Sequence, residues 1–154
     1  MNPSLDETLS QETAKRIKSK ARSPFENAYQ AALTNEEALY VQGFLVIAGK
    51  PYSPMEHAWL EVGDRILDPT LPHLGATPQQ LHYFPAQKLK VKKLKAAVEE
   101  AKEDYPEDDP LPIYGDAPYA YYGDVMLGGQ NYLDAHQAAA KLSKDLNKPY
   151  RDLN

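Results

Sequence analysis

The sequence predicts a single α+β domain in which helices pack around a small antiparallel sheet. Three observations carry that reading. The chain has 154 residues, the length of one ordinary domain rather than two. Residues 56–70, EHAWLEVGDRILDPT, read as two short strands joined by a two-residue turn. Segments near 24–33, 91–103 and 132–146 carry helix signals, from capping residues to apolar positions at helical spacing.

Composition narrows the function classes. Hydrophobic residues make up 42% and charged residues 25%, ordinary values for a globular chain. A net charge of −5 argues against a nucleic-acid partner held by phosphate contacts. No apolar run approaches the roughly 20 residues of a membrane span, so no membrane partner is expected either. The first residues lack an apolar leader core, and the expectation is a cytoplasmic protein. With no cysteine, the chain has no disulfide, no cysteine-ligated zinc and no thiol nucleophile. Thirteen prolines and eleven tyrosines predict many turns and aromatics with polar tips.

Taken in order, residues 1–20 form a polar segment, partly helical, and 21–154 the domain proper. Residues 1–10 read as frayed, and Glu12 to Ala21 as a basic, weakly amphipathic helix. Ser23-Pro24-Phe25-Glu26 is a sharper signal, with an N-cap, a proline at the first helical position and a capping box. The helix it opens runs to Leu33. Ala38 to Ile47 is apolar on both alternating faces and reads as an internal strand. Residues 48–54 form a turn, and the hairpin follows with strands Glu56–Val62 and Arg65–Asp68, ended by Pro69.

Thr77-Pro78-Gln79-Gln80 repeats the capping pattern and predicts a short helix to Tyr83, broken by Pro85. Val91 to Glu103 carries Val91, Leu94, Ala97, Val98 and Ala101 on one side and lysines and glutamates on the other. Residues 104–118 are acidic and proline-rich, a loop. Asn131 caps a last helix with a stripe of Ala135, Ala139, Leu142 and Leu146, stopped by Asn147 and Pro149.

The hairpin holds the chemistry. A two-residue Gly63-Asp64 turn sets Val62 against Arg65, Glu61 against Ile66, Leu60 against Leu67 and Trp59 against Asp68. Side chains alternate, so His57, Trp59, Glu61, Ile66 and Asp68 share one face. His57 is then the diagonal neighbour of Asp68, at about 7–8 Å between backbones. An Asp there can fix the imidazole tautomer. A histidine on a strand is more often a structural residue than a catalyst. As a base it needs a nucleophile, metal or cofactor to act on.

His57-Ala58-Trp59 followed by Asp68-Pro69-Thr70 resembles the HAW…DPT signature of transglutaminase-like proteins, within the papain-like cysteine protease superfamily. The strand Tyr40-Val41-Gln42-Gly43-Phe44 is similar to the YVEGY-type strand of small bacterial and phage members. Pro24-Phe25-Glu26-Asn27 matches their Cys-x-x-Asn helix start, and Tyr83-Phe84-Pro85 and Leu111-Pro112-Ile113-Tyr114-Gly115 are in keeping with them. The resemblance covers residues 22–72. It implies a helix carrying the nucleophile, packed on an antiparallel sheet carrying His and Asp. His57 matches the base and Asp68 its orienter. Pro24 stands where the cysteine is expected, and proline carries no nucleophile.

Several readings remain open. The first is a degenerate, non-catalytic domain that keeps a cleft for a ligand, peptide or protein, with Asn27, Trp59, Tyr40 and Gln42 as binding residues. The second is a hydrolase or acyltransferase with Ser23 as nucleophile and His57 and Asp68 as base and orienter. The third is a structural or partner-binding phage-type protein with a vestigial cleft. No cofactor is called for. A metal held by His57, Asp68 and His73 lacks paired-ligand spacing. The acidic stretch 99–109 lacks the pattern of a calcium loop, and His82 and His136 stand alone. Tyr114, Tyr119, Tyr121 and Tyr122 read as a loop-rich surface or an interface, since tyrosine is enriched at contact hot spots.

Overall fold

The structure, a computed structural model, describes residues 3–47, 52–114, 119–122 and 125–151, with side chains to 148. Its elements in chain order are β1 (Ser4–Leu5), α1 (Glu7–Ile17), α2 (Pro24–Leu33), β2 (Leu39–Ile47), β3 (Pro54–Val62), β4 (Arg65–Leu67), β5 (Leu81–Lys90), α3 (Val91–Asp104), β6 (Tyr119–Tyr122), β7 (Val125–Gly128) and α4 (Gln130–Arg151). Short 3-10 turns lie at Leu71–His73 and Pro78–Gln80. Five strands form one sheet in the order β1-β4-β3-β2-β5, and β6 pairs with β7 alone. The chain is therefore α+β.

The hairpin folds in the expected register. Leu60 pairs with Leu67, Glu61 with Ile66 and Val62 with Arg65. Gly63 takes φ 64°, the left-handed conformation that the tight turn requires and glycine adopts without penalty. β2 is internal to the sheet and buried over seven of its nine residues, as its doubly apolar pattern requires. The sheet is mixed rather than purely antiparallel, because β1 runs parallel to β4.

That parallel strand belongs to a segment whose polarity predicts fraying. Residues 1–10 instead supply β1 and the start of α1. Asp6 is the N-cap, its carboxylate accepting from Leu9 N at 2.9 Å. Arg65 bonds the same carboxylate at 3.0 Å. The helix accordingly begins at Glu7 and ends at Ile17, five residues earlier at its start than the basic run predicts.

β5 replaces the short helix expected before Pro85. The capping contact does form, with Thr77 N–H donating to Gln80 Oε1 at 2.8 Å, but the turn closes at Gln80 and a strand follows. Pro85 is compatible with it because β5 is an edge strand, where a missing donor removes no bond from the open side. Gly43 of β2 explains the close seating. A Cβ there would collide with the Phe84 carbonyl oxygen and lie 3.0 Å from Ala86 N.

The chain divides into two compact units. The first comprises Met1–Gln42, Ala58–Gly75 and Lys88–Ile113. Its core joins Ala28, Ala31 and Ala32 of α2, Val91, Leu94 and Val98 of α3, and Tyr40, Ala58, Leu60 and Leu67 of the sheet. The second comprises Gly43–His57, Ala76–Gln87 and Tyr114–Asn154. Its core joins Phe44 and Val46 to Tyr122, Leu127, Tyr132, Ala135 and Ala139.

Two expectations change in the second unit. The tyrosine-rich stretch forms the β6–β7 hairpin, with Tyr122 paired to Val125 and Tyr121 to Met126. Residues 115–118 of the expected loop, and 48–51 of the expected turn, fall outside the described residues. α4 starts at Gln130, so Asn131 is inside it, and it continues past Asn147 and Pro149. Asn147 does not terminate the helix because its amide is engaged elsewhere. Oδ1 accepts from Tyr52 N at 2.8 Å and Nδ2 donates to Tyr52 O at 2.9 Å.

His136 of α4 packs edge-on to Phe44 at 5.1 Å and near Tyr122 at 6.1 Å. Burial lowers its pKa from the usual histidine value. A lowered folded-state pKa favours the neutral ring. Its contribution to stability is complete above about pH 6.5 and declines as pH falls below it, because the unfolded chain binds the proton more readily. The urea midpoint should drop between pH 7 and 5, and His136→Phe should flatten that drop. An identical slope in both proteins would show that His136 carries none of it.

Candidate functional site

The sequence singles out seven side chains: Ser23, Asn27, Tyr40, Gln42, His57, Trp59 and Asp68. Six of them are buried. Asp68, Trp59 and Tyr40 are fully enclosed, and His57, Gln42 and Asn27 nearly so. Only Ser23 is partly exposed.

Asp68 leaves the end of β4 into the Pro69-Thr70 turn. Its N–H donates to Ser10 Oγ at 2.9 Å, and its Oδ1 accepts from Thr70 N at 2.9 Å. The second contact is an Asx turn, a side chain standing in for a backbone acceptor. Ser10 in turn donates to Asp6 O at 2.6 Å. The aspartate that the resemblance matches to an orienter thus organises its own turn.

Asn27 sits one turn into α2. Its Oδ1 accepts from Lys20 N at 2.9 Å, and its Nδ2 donates to Lys20 O at 2.8 Å and Thr70 Oγ1 at 3.0 Å. Both amide protons and the carbonyl are engaged inside the protein. Expected as a binding residue, it is found holding segment 18–23 and the Asp-Pro-Thr turn against α2.

Gln42 acts in the same way elsewhere in the first unit. Its Nε2 donates to Ile113 O at 2.6 Å, and its Oε1 accepts from Ile113 N at 2.8 Å and Tyr40 OH at 2.9 Å. A side-chain amide that meets both polar groups of one residue imitates a strand partner. It fastens the loop after α3 to β2, with Tyr40 completing the set.

Ser23 occupies the N-cap of α2 and Pro24 its first position. The serine makes no capping bond, and its Oγ donates weakly to Ala21 O at 3.4 Å. Glu26 does not close a capping box either, since its carboxylate accepts from Gln30 Nε2 at 2.8 Å. The Ser23 backbone at φ −129°, ψ 53° turns the hydroxyl away from the helix amides.

In the second unit the His57 ring lies 6.3 Å from that of Tyr83, tilted by 48°. Burial raises the pKa of the adjacent Glu56 carboxyl. In the first unit Glu61, nearly buried, pairs with Lys88 Nζ at 3.0 Å. Among the described residues no group of three or more histidine and acidic side chains is placed to hold a metal. His73 Nε2 lies 3.0 Å from Ser19 O and 3.1 Å from Ser19 Oγ. No described helix is long and apolar enough to cross a membrane.

The sequence does not disclose Ser10, Thr70, Lys20 and Ile113 as partners of these groups. Ser10 and Asp68 are 58 residues apart, and Gln42 and Ile113 are 71 apart. A local pattern cannot encode such pairs. The Thr70 of the DPT motif is the one signal available. No family model, curated protein or solved structure matches the chain.

Removing the Asn27 amide deletes three bonds, two of them to the Lys20 backbone. Asn27→Ala should cost about 2–3 kcal/mol by chemical denaturation. Ser23→Ala, with no capping bond to lose, should change stability by less than about 0.5 kcal/mol. The reverse order of effects would assign the capping role to Ser23 after all.

Proposed function

We propose that the chain is a catalytically degenerate member of the transglutaminase-like, papain-like superfamily that works by binding a peptide or protein partner. The observation that carries this reading is the start of α2. Pro24 fills the first helical position where the resemblance calls for a nucleophile, and the chain has no cysteine. A nucleophile at a helix N-terminus gains acidity from the helix dipole, and proline has nothing to ionise. The paired register of the HAW and DPT strands supports the hairpin on which the resemblance rests.

The polar residues of the resemblance are engaged in structure, which favours binding through another surface. The β6–β7 hairpin offers one. Tyr119, Tyr121 and Met126 are exposed on one of its faces, and Tyr114 lies edge-on to Tyr119 at 6.2 Å. Exposed tyrosines give large, rigid contact area at low entropic cost.

The test restores the missing group. Wild-type protein should give no product burst with p-nitrophenyl acetate and no labelling by iodoacetamide. Pro24→Cys should be alkylated several-fold faster at neutral pH than free cysteine, because the N-terminus of α2 stabilises a thiolate there. A rate no faster than that of free cysteine would reject the family assignment. A wild-type burst that Ser23→Ala abolishes would establish the serine hydrolase instead.

A further inference from the structure

The basic residues are unevenly distributed. The chain is acidic, with 22 Asp and Glu against 17 Lys and Arg. Yet Lys15, Arg16, Lys18, Lys20 and Arg22 fall within eight residues, and no acidic residue occurs between Glu12 and Glu26. This run forms the end of α1 and the segment leading to α2.

The segment borders a groove of about 720 Å³ between α1 and the Leu71–His73 turn. One wall is the α1 face bearing Lys15 and Lys18, the other is Pro72 and His73, and Ala14 contributes an apolar patch. The Ser19–His73 contact, 3.1 Å from Oγ to Nε2, bridges the two walls. Glu12 also lines the groove and offsets one of its lysines.

Three restraints fix this basic segment before any ligand arrives. Lys18 caps α1 in the left-handed conformation, φ 55°, with its N–H on Ala14 O and Lys15 O. Ser19 N donates to Ala14 O at 2.9 Å. Asn27 holds both backbone groups of Lys20. Capping by Lys18 and Ser19 also occupies carbonyls that would otherwise present negative charge at the helix end. Arg22 is left-handed too, at φ 60°. Glycine adopts this conformation with less strain, so two cations hold positions where glycine would fold better.

We propose that this groove binds a small phosphate monoester. Two lysine ammonium groups and the His73 wall suit a dianion with three acceptor oxygens. The apolar patch at Ala14 and Pro72 suits an organic ring or chain attached to it. The volume is that of a small-molecule site, and a segment whose backbone is already pinned loses little backbone entropy on binding.

Phenyl phosphate is the probe, followed by amide chemical-shift titration of the full chain. Saturable shifts at residues 8–19 and at His73, at about millimolar concentration, are expected. Lys15→Glu with Lys18→Glu should weaken binding about fivefold or more. Lys92→Glu with Lys93→Glu makes the same charge change on α3 and should leave it unaltered. Lys18→Gly should raise the melting temperature while weakening binding, which separates the ligand role from a folding role. Equal weakening by both charge-reversed pairs would reduce the groove to diffuse attraction and overturn the proposal. So would the absence of saturable shifts. An oligonucleotide that binds far more tightly than phenyl phosphate, and is lost with the same two lysines, would replace the monoester with a nucleic acid.

Discussion

A single chain of hydrogen bonds, buried at its centre and part-buried at its ends, organises the first unit. It runs from Asp6 O to the Ser10 hydroxyl, from Ser10 to the Asp68 amide, and through the Asp68 carboxylate to Thr70 N. Thr70 Oγ1 then accepts from Asn27, whose amide closes on both backbone groups of Lys20. Three stretches distant in sequence, residues 6–10, 20–27 and 68–70, meet along this line. Polar groups shut away from water cost free energy unless paired, so each link constrains the next. The arrangement fixes where α1 starts, where β4 ends and how the basic segment enters α2. Apolar packing of α2 and α3 on the sheet supplies bulk stability, but it has no comparable directionality.

This network explains which parts of the fold are legible in the sequence. The register of the β3–β4 hairpin is legible because it depends on a two-residue turn and an alternation, both local, although β3 starts at Pro54 rather than Glu56 and β4 ends at Leu67 rather than Asp68, short of the expected Trp59–Asp68 pair. α3 is legible from Val91, Leu94 and Val98, which are the buried positions observed. β1 is not, because two residues, Ser4 and Leu5, become a strand only by pairing with Arg65 and Ile66. β5 escapes because proline weighs locally as a helix breaker, while its tolerance at a sheet edge depends on strand order. β6–β7 does carry a usable signal. Gly123-Asp124 sits between short apolar runs as Gly63-Asp64 does, but the surrounding tyrosines and prolines favour a loop on composition. At the end of α4, Asn147 has the look of a stop, whereas its amide bonds a residue 95 positions away.

The candidate site is legible in identity and not in employment. Sequence gives the types His, Asp, Asn and Gln at suggestive places. It does not give burial or partners, and those decide whether a polar group is available to a ligand. Asn27 and Gln42 show the difference. Each is a plausible ligand contact by type and position, and each amide instead meets both the N–H and the C=O of one backbone residue. Trp59, expected as core or pocket wall, is wholly enclosed.

The same amide device has a consequence for the basic segment. Clamping Lys20 by its backbone leaves its side chain exposed, and the left-handed turns at Lys18 and Arg22 hold neighbouring cations on a fixed path. A flexible run of like charges would spread and lose its field to solvent and counterions. A pinned backbone beside His73 keeps the stems of these cations close together despite their repulsion, while the exposed lysine side chains retain their own rotamer freedom. The folding energy that maintains the clamp therefore also maintains a concentrated positive potential on an acidic protein. If the α2 start is a site that has lost its nucleophile, loss of chemistry there relaxes demands on reacting atoms. It leaves intact the demands on the clamp, which serves the turn, the helix start and the basic groove together.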